Sequence, residues 1–287
     1  MMRLLKSVLL SVALLLISMA TQAKEQVIWV LERFEPYYIL DGEYQGQGIA
    51  DRLIKLFQQA LPEYDHTTEY MPILRIRTAL KTGQHVVCIS FLKDTSLADY
   101  VQYSGVTMLV PPLELTVRRE DWESKWHSAP QLSLAQLMEQ GGKIGVADGR
   151  NYGKAFDVLL QDKARFAEGT YSRVGEHYAG LAKMVSLHRI DATIGYRAEL
   201  AYAQKLDPKL EPLISVGATE NTEFLFAYAV MPKGDWGNSF RARIDEALLR
   251  LRDTPEYRHA MTDWFGDTPR WEAEYQQRVL SGAMDPQ

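Results

Sequence analysis

The chain has 287 residues, of which 46% are hydrophobic and 24% are charged, a composition typical of a globular protein. Its formal net charge is −5 at pH 7, and its lysines and arginines form no cluster, which argues against nucleic-acid binding. A single cysteine, Cys88, excludes an internal disulfide. Because it lies in the apolar run 86–89, we predict a small core residue rather than a nucleophile.

The start of the chain has the features of an export signal. Two basic residues precede an apolar run over residues 8–17, and small residues follow it. The run is shorter than the roughly 20 apolar residues that a membrane-spanning helix needs. We predict that residues 1–23 are a signal peptide cleaved after Ala23, with Ala20 as the alternative, and that the mature chain is periplasmic.

Strands and helices alternate along the first part of the mature chain. Apolar runs indicate buried strands, and apolar residues at helical spacing indicate helices with one buried face. The predicted elements are strands at 27–31, 66–70 and 86–92, with helices at 51–61 and 72–80 between them. This order favours an α/β fold in which helices cover the sheet.

An aromatic turn follows the first strand. Phe34, Tyr37 and Tyr38 lie on either side of Pro36, before the turn dipeptide Asp41-Gly42. We predict that one ring faces the core and that another faces a cleft able to hold a flat or apolar group.

The second part of the chain repeats the alternation of strands and helices without repeating the sequence. Extended segments at 100–104 and 106–117 come first. They are followed by a helix at 132–140, a strand at 143–147, a helix that ends near residue 160, a strand at 171–174, a helix at 176–187 and a strand at 191–196. An apolar strand at 223–231 and helices at 240–252 and 255–264 complete the pattern. We therefore predict two lobes: lobe 1 from residues 24–115 and 222–270, lobe 2 from 116–221, and a polar C-terminal tail at 271–287.

One segment of lobe 2 has the features of an anion site. Residues 149–153 lie between a strand and a helix, where free backbone N–H groups and the helix dipole favour an anion. Arg150 adds a charge that can bind a carboxylate through two hydrogen bonds. The alternative is an ordinary turn with an exposed arginine. Arg75, on the helix that begins at Pro72, is a second candidate cation, and we predict that Arg77 is exposed.

Signatures of catalysis and of metal binding are missing from the sequence. The six histidines show no paired metal-ligand spacing, and there is no nucleophile elbow, catalytic triad or cofactor fingerprint. Asp94 and Asp99 could form an acid/base pair, but nothing in the sequence places them in one pocket. We predict a protein that is not an enzyme and has no cofactor or metal; the alternative of an enzyme on this fold would depend on Asp94 or Glu199.

Six segments, in this order, resemble the type II periplasmic solute-binding proteins of family 3, which include polar amino-acid receptors of ABC transporters. The segments are FEPYYI…DGEYQGQGIAD, RTALKTGQHVVCIS, LKDTSLADYVQYS, KIGVADGRNYG, HRIDATIGY and AYAVMPKGDWGNSFRARIDEALLRL. The resemblance covers nearly all of the mature chain. A subgroup of exported proteins with a tryptophan in the first strand, here Trp29, is more similar still.

The resemblance implies a two-lobed α/β fold with mostly parallel sheets, flanking helices and two crossing strands that act as a hinge. A ligand would lie between the lobes, which would close on it by hinge motion. Position by position, Phe34 matches an aromatic that stacks on the ligand, and Ser90 matches a ligand contact at the end of a strand. Arg150 and Asn151 match the helix start that receives a carboxylate.

Departures from the family pattern concern its ion-pair residues. Asp94 and Leu97 stand where amino-acid receptors have a threonine and the arginine that grips the ligand carboxylate. Tyr196 stands in place of the aspartate that holds the ligand ammonium. A buried ammonium without a carboxylate would cost several kcal/mol, so we predict that the ligand is not an ordinary α-amino acid. The predicted ligand-binding residues are Phe34, Tyr37, Arg75, Ser90, Arg150, Asn151, Tyr152 and Tyr196.

We therefore predict a monomeric solute-binding protein that delivers its ligand to an ABC-type permease in the inner membrane. A small organic acid, an aromatic compound or a modified peptide fragment is compatible with the aromatic and less ionic cleft. The alternative keeps the fold but changes the partner: a periplasmic ligand-sensing protein that docks on a membrane signalling receptor.

Overall fold

The structure of the protein, a computed structural model, describes residues 24–147, 150–161, 170–173, 178–265 and 269–281, with the backbone alone at 170–173. The predicted signal peptide, residues 1–23, lies outside the described residues. Among the helices that are described, none is both long and apolar enough to cross a membrane.

The elements alternate along the chain as the sequence pattern indicates. In chain order they are β1 (Gln26–Leu31), α1 (Ile49–Ala60), β2 (Asp65–Tyr70), α2 (Ile73–Lys81), β3 (Val86–Phe91), β4 (Val101–Val110), β5 (Glu114–Arg118), α3 (Arg119–Ser124), β6 (Gln131–Leu132), α4 (Leu134–Glu139), β7 (Ile144–Ala147), α5 (Lys154–Gln161), β8 (Thr170–Arg173), α6 (Tyr178–Ser186), β9 (Ala192–Gly195), α7 (Arg197–Leu206), β10 (Leu213–Ala218), β11 (Leu225–Pro232), α8 (Asp235–Leu251), α9 (Pro255–Thr262) and α10 (Pro269–Tyr275). A π-helical turn, Gln276–Leu280, follows α10.

Each lobe is built on one sheet with helices on both faces. Lobe 1 has the strand order β2-β1-β3-β11-β4, and lobe 2 has the order β6-β10-β5-β9-β7-β8. Side chains of β1 alternate between the two cores of lobe 1, with Val27 and Trp29 in one and Val30 in the other. Burial on both faces explains why this strand reads as a continuous apolar run.

Both sheets are mixed, whereas mostly parallel sheets were predicted. β11 is antiparallel to β3 and to β4, and β5 is antiparallel to β9 and to β10. The sheets are mixed because their strands run in opposite directions relative to the cleft. β1, β3, β7 and β9 run toward the cleft, while β5 and β11 enter their lobes from it and run away.

The chain crosses between the lobes twice. It leaves β4 and enters β5 through residues 111–113, and it returns from β10 to β11 through residues 219–224. The predicted lobe boundary at residues 115 and 116 falls inside β5, which pairs along its length with lobe 2. The two crossings contact each other, because Asn221 donates a hydrogen bond from Nδ2 to the Leu113 carbonyl (3.4 Å).

The segment predicted to be a polar tail is helical as far as residue 280 and packs on lobe 1. Trp271, Tyr275 and Val279 are buried in the core that also contains Trp29. The Trp271 indole donates a hydrogen bond to the Leu109 carbonyl (2.8 Å). Residues spaced by four along a helix share one face, so this segment covers the sheet with one apolar stripe. Residues 282–287 lie outside the described part of the chain.

Candidate functional site

The carboxyl ends of strands that run toward the cleft bring together four of the residues predicted to bind ligand: Phe34, Tyr37, Arg150 and Tyr196. Phe34 and Tyr37 follow β1, Arg150 follows β7, and Tyr196 follows β9 directly. In open α/β sheets, ligands bind outside the carboxyl ends of the strands, where the connections diverge. Residues that follow strands of both sheets therefore lie where the two lobes face each other.

The loop after β1 is held in place by Asp51 at the start of α1. Its carboxylate accepts hydrogen bonds from the backbone N–H groups of Ile39 (2.9 Å) and Gly48 (3.0 Å). Gly48 allows the close approach, because a Cβ there would lie 2.5 Å from the Tyr37 carbonyl oxygen. These contacts fix the backbone that carries the aromatic residues of the turn.

Three aromatic rings form a direct contact between the lobes. Phe34 and Tyr37 of lobe 1 stack with their ring centroids 4.9 Å apart and an interplanar angle of 6°. Tyr196 of lobe 2 presents its ring at a steep angle to both, at 6.1 Å from Phe34 and 5.7 Å from Tyr37. Offset and edge-to-face contacts of this kind are favourable aromatic geometries.

A buried ion pair lies behind this contact, in lobe 2. Both terminal nitrogens of Arg150 donate to the two carboxylate oxygens of Glu199, at 2.7 Å each. The guanidinium carbon lies 5.6 Å from the ring centroid of Phe34 and 6.0 Å from that of Tyr196, within cation–π range. Burial lowers the pKa of Arg150, but attraction to Glu199 and the hydrogen bonds to it outweigh burial and raise that pKa above its ordinary value. The arginine predicted to receive a ligand carboxylate thus has an internal carboxylate partner.

The hydroxyl of Tyr37 is buried and has no hydrogen-bond partner among the described residues. Burial raises the pKa of Tyr37, and nearby Tyr196 and Glu199 raise it further, so the phenol stays protonated. Leaving a buried hydroxyl unpaired costs about 1–3 kcal/mol. A polar group of a ligand between the lobes would remove that cost.

Ser90 lies near the end of β3 in a cluster of polar groups from lobe 1. Its hydroxyl is 2.7 Å from the Tyr38 hydroxyl, and it donates to Glu32 Oε1 at 3.3 Å. The Cys88 thiol donates to the same oxygen, also at 3.3 Å. Burial raises the pKa of the Glu32 carboxyl, and the bonds from Cys88 and Ser90 oppose that shift. Burial also raises the pKa of Cys88 well above its ordinary value, so this residue is a core thiol and a poor nucleophile.

Asn151 and Tyr152 are engaged in local structure at the start of α5. The Asn151 side chain accepts a hydrogen bond from the Gly153 N–H (2.7 Å), and Asp157 accepts one from the Tyr152 N–H (3.1 Å). The Tyr152 hydroxyl accepts a bond from the Ala147 N–H (2.8 Å). Two of the backbone donors that an anion would use at this helix start are therefore already occupied.

Arg75 lies apart from the aromatic contact. Its exposed side chain pairs with Glu69 of the edge strand β2. Arg77, predicted to be exposed, forms an ion pair with Asp94 at 2.5 Å. Hydrogen bonds from Ser96 and then from Arg77 lower the pKa of Asp94. Asp94 therefore caps a short turn as a carboxylate.

Leu97 stands where the family has its carboxylate-binding arginine, and it is fully buried. Its side chain lies in the core of lobe 1 that also contains Ile76, Val86 and Cys88. This position cannot contribute a charge to the cleft.

A second contact between the lobes lies at the edge of the cleft, and we call it the rim contact. Tyr202 and Lys205 project from α7 of lobe 2 toward Tyr44 and Trp264 of lobe 1. The Lys205 ammonium lies 4.6 Å from the Trp264 ring centroid, and the rings of Tyr202 and Trp264 are 5.5 Å apart. The Trp264 indole also donates to the Gln47 carbonyl (3.0 Å).

Two acids of the site, Glu32 and Glu199, are absent from the residues predicted to bind ligand. Glu199 follows Tyr196 by three residues at the start of α7, the spacing of a capping box, and it accepts the Tyr196 N–H (2.8 Å). Glu32 directly follows a buried strand, a position that marks the cleft edge of an α/β sheet. Within the described residues, no group of three or more His, Cys, Asp or Glu side chains is arranged to hold a metal ion.

No protein-family model and no curated protein matches this sequence. Solved structures do match it over most of its length. The probable amino-acid ABC transporter extracellular-binding protein ytmK from Bacillus subtilis has 18% identity and a TM-score of 0.64, over 85% of this chain and 98% of its own. An ancestral cationic amino acid solute-binding protein has 16% identity and a TM-score of 0.65, over 84% and 96%.

A histidine kinase sensor domain with similarity to periplasmic binding proteins also matches, with 16% identity and a TM-score of 0.58, over 85% of this chain and 97% of its own. At these identities the likeness establishes the fold. The chain has the two-lobed α/β architecture of the type II periplasmic binding proteins, and the predicted fold is confirmed. Both solute receptors and a sensor domain use this architecture, so the fold alone does not decide the partner.

Proposed function

We propose that this chain is a periplasmic solute-binding protein that captures a small solute between its lobes without transforming it. The observation that carries the proposal is the contact of Phe34 and Tyr37 with Tyr196 across the cleft, next to the Tyr37 hydroxyl, which no described residue hydrogen-bonds. Flat apolar rings with a few convergent polar groups are typical of small-molecule sites.

The arrangement of charges supports an aromatic solute over an organic acid or an ordinary α-amino acid. Arg150 and Arg75, the two cations predicted to serve a ligand carboxylate, pair with Glu199 and Glu69. A ligand carboxylate would have to displace one of these partners, and a buried displaced acid would lose its counter-charge. Aromatic stacking needs no such exchange.

An ABC-type permease of the inner membrane is the partner that we propose, with the chain acting as an exported monomer. A signalling receptor is the second candidate partner, because the chain is also similar in structure to a histidine kinase sensor domain. Crosslinking in intact cells, followed by identification of the crosslinked membrane protein, distinguishes the two. The chain released by osmotic shock should have the mass expected for a start at Lys24.

Calorimetric titration tests capture of an aromatic solute and the role of Phe34. Four compounds with one phenyl ring and different charge serve as probes: phenethylamine, 2-phenylethanol, phenylacetate and phenylalanine. We expect at least one to bind and Phe34→Ala to weaken it about tenfold, since stacking and burial of one ring are worth roughly 1.4 kcal/mol.

Tyr100→Ala is the matched control, because Tyr100 is an exposed aromatic of lobe 1 that contacts Lys81. It should leave the affinity unchanged. Absence of binding for all four probes would contradict capture of an aromatic solute, and equal effects of the two variants would show that Phe34 is not part of the site.

A further inference from the structure

Glu32 is a partly buried carboxylate that accepts hydrogen bonds from two uncharged side chains. The Cys88 thiol and the Ser90 hydroxyl donate to its Oε1 atom at 3.3 Å each. In the part of the chain that the structure describes, no cation forms an ion pair with it. Its chain neighbour Arg33 lies instead near Asp41 (3.7 Å) and over the ring of Tyr70 (5.9 Å). Carboxylates removed from water usually have a cationic partner, because burial of an unpaired charge is costly.

The position of Glu32 assigns it to the cleft. It is the first residue after β1, and Ser90 lies near the end of the adjacent parallel strand β3. Phe34, two residues further on, contacts Tyr196 of the opposite lobe. The buried hydroxyl of Tyr38, 2.7 Å from the Ser90 hydroxyl, lies behind the carboxylate in the same cluster. Glu32 thus belongs to the lobe 1 side of the site, whereas the Arg150–Glu199 pair belongs to lobe 2.

We propose that Glu32 is the counter-charge for a cationic nitrogen of the solute, and that the solute is a small aromatic amine without a carboxylate. This inference rests on the proposed function, since it names the ligand class of the same site. Three features carry it together: a carboxylate that forms no ion pair within the described residues, a stack of aromatic rings that begins two residues further along the chain, and an arginine of the opposite lobe, Arg150, that is already paired with an acid. A single carboxylate is a suitable partner for an ammonium, whereas a metal ion needs several ligands.

The same four probes test the inference by calorimetric titration. Phenethylamine and 2-phenylethanol differ in the charged nitrogen, and phenylalanine adds a carboxylate to phenethylamine. We expect phenethylamine to bind at least tenfold more tightly than the other three, because hydrogen bonds to a charged group in a desolvated site are the strong ones. Glu32→Gln should reduce its affinity to that of 2-phenylethanol and leave the alcohol unaffected.

Glu120→Gln is the matched control. Glu120 lies on α3 of lobe 2 with a side chain that is 68% exposed, and this variant should keep the full preference for the amine. Glu32→Gln should unfold at a temperature equal to or higher than that of the wild type, since it removes a desolvated charge but keeps the shape of the side chain. Its loss of amine binding would then not reflect misfolding.

The remaining outcomes separate this inference from the function on which it rests. Equal binding of amine and alcohol, or an amine preference that survives Glu32→Gln, would overturn the role of Glu32 while solute capture stands. Tighter binding of phenylalanine than of phenethylamine would overturn the exclusion of a carboxylate. Failure of all four probes would contradict the aromatic-capture proposal, and the role of Glu32 with it.

Discussion

At the scale of single residues, the site differs from an amino-acid receptor by where its charges are balanced. Arg150 has its counter-charge within the protein, in Glu199 of the same lobe. The side chain of Glu199 is only 4% exposed, and that of Arg150 is 18% exposed. Because these two charges pair with each other, the polar recognition of a solute is left to other groups.

Glu199→Gln should therefore destabilise the protein. The variant keeps the shape of the side chain but leaves the guanidinium of Arg150 without its counter-charge, a change that costs about 3 kcal/mol for a buried pair. Urea unfolding at neutral pH measures the loss. Glu114→Gln is the control, because its partner Arg197 is 45% exposed and pairs of that kind contribute about 1 kcal/mol or less. Similar losses for both variants would show that burial of the Arg150 pair adds nothing.

The sequence alone indicated Arg150 but not its partner. Arg150 follows an apolar strand and precedes a helix, so its position at the cleft edge is a local pattern that can be recognised. Glu199 lies 49 residues further along the chain, and nothing local shows that the two side chains meet. The same limit applies to Glu32 and Ser90, which are 58 residues apart, one directly after β1 and the other in β3.

At the scale of elements, α10 and the turn after it form a part of lobe 1 that the sequence pattern hid. Polar residues separate Trp271, Tyr275 and Val279, so the segment reads as a tail, although these three recur at every fourth position. Strands with unbroken apolar runs, such as β1 and β3, were predicted to within one residue. Short elements between polar residues, such as α3, have too few apolar positions to give a period.

Trp271→Ala tests whether α10 belongs to the folded lobe. The substitution removes a buried indole and its hydrogen bond to Leu109, and we expect a loss of about 3–5 kcal/mol in the free energy of unfolding. Leu249→Ala on α8 is the control, because that side chain is 69% exposed and should change stability by about 0.5 kcal/mol or less. Both are measured by urea unfolding. A loss of less than about 1 kcal/mol for Trp271→Ala would mean that this segment is only loosely attached.

At the scale of the whole molecule, the two lobes are joined covalently by two crossings, and described residues of the two lobes also touch in the cleft and at its edge. In the cleft, Phe34 and Tyr37 contact Tyr196, and at its edge lies the rim contact. The alternation of strands and helices predicted two lobes, and the reversal of direction at each crossing explains why their sheets are mixed. Contacts between lobes join residues far apart in sequence, so no local pattern predicts them.

The rim contact gives the protein an internal optical signal. Trp264 belongs to lobe 1, is 3% exposed, and touches Lys205 and Tyr202 of lobe 2. Separation of the lobes would expose the indole to water and move the Lys205 ammonium away from it. The emission of this ring would then shift to longer wavelength. Trp29 and Trp271 lie within the core of lobe 1 and would keep their emission. The intrinsic fluorescence of the unlabelled chain would therefore report any separation of the lobes in real time.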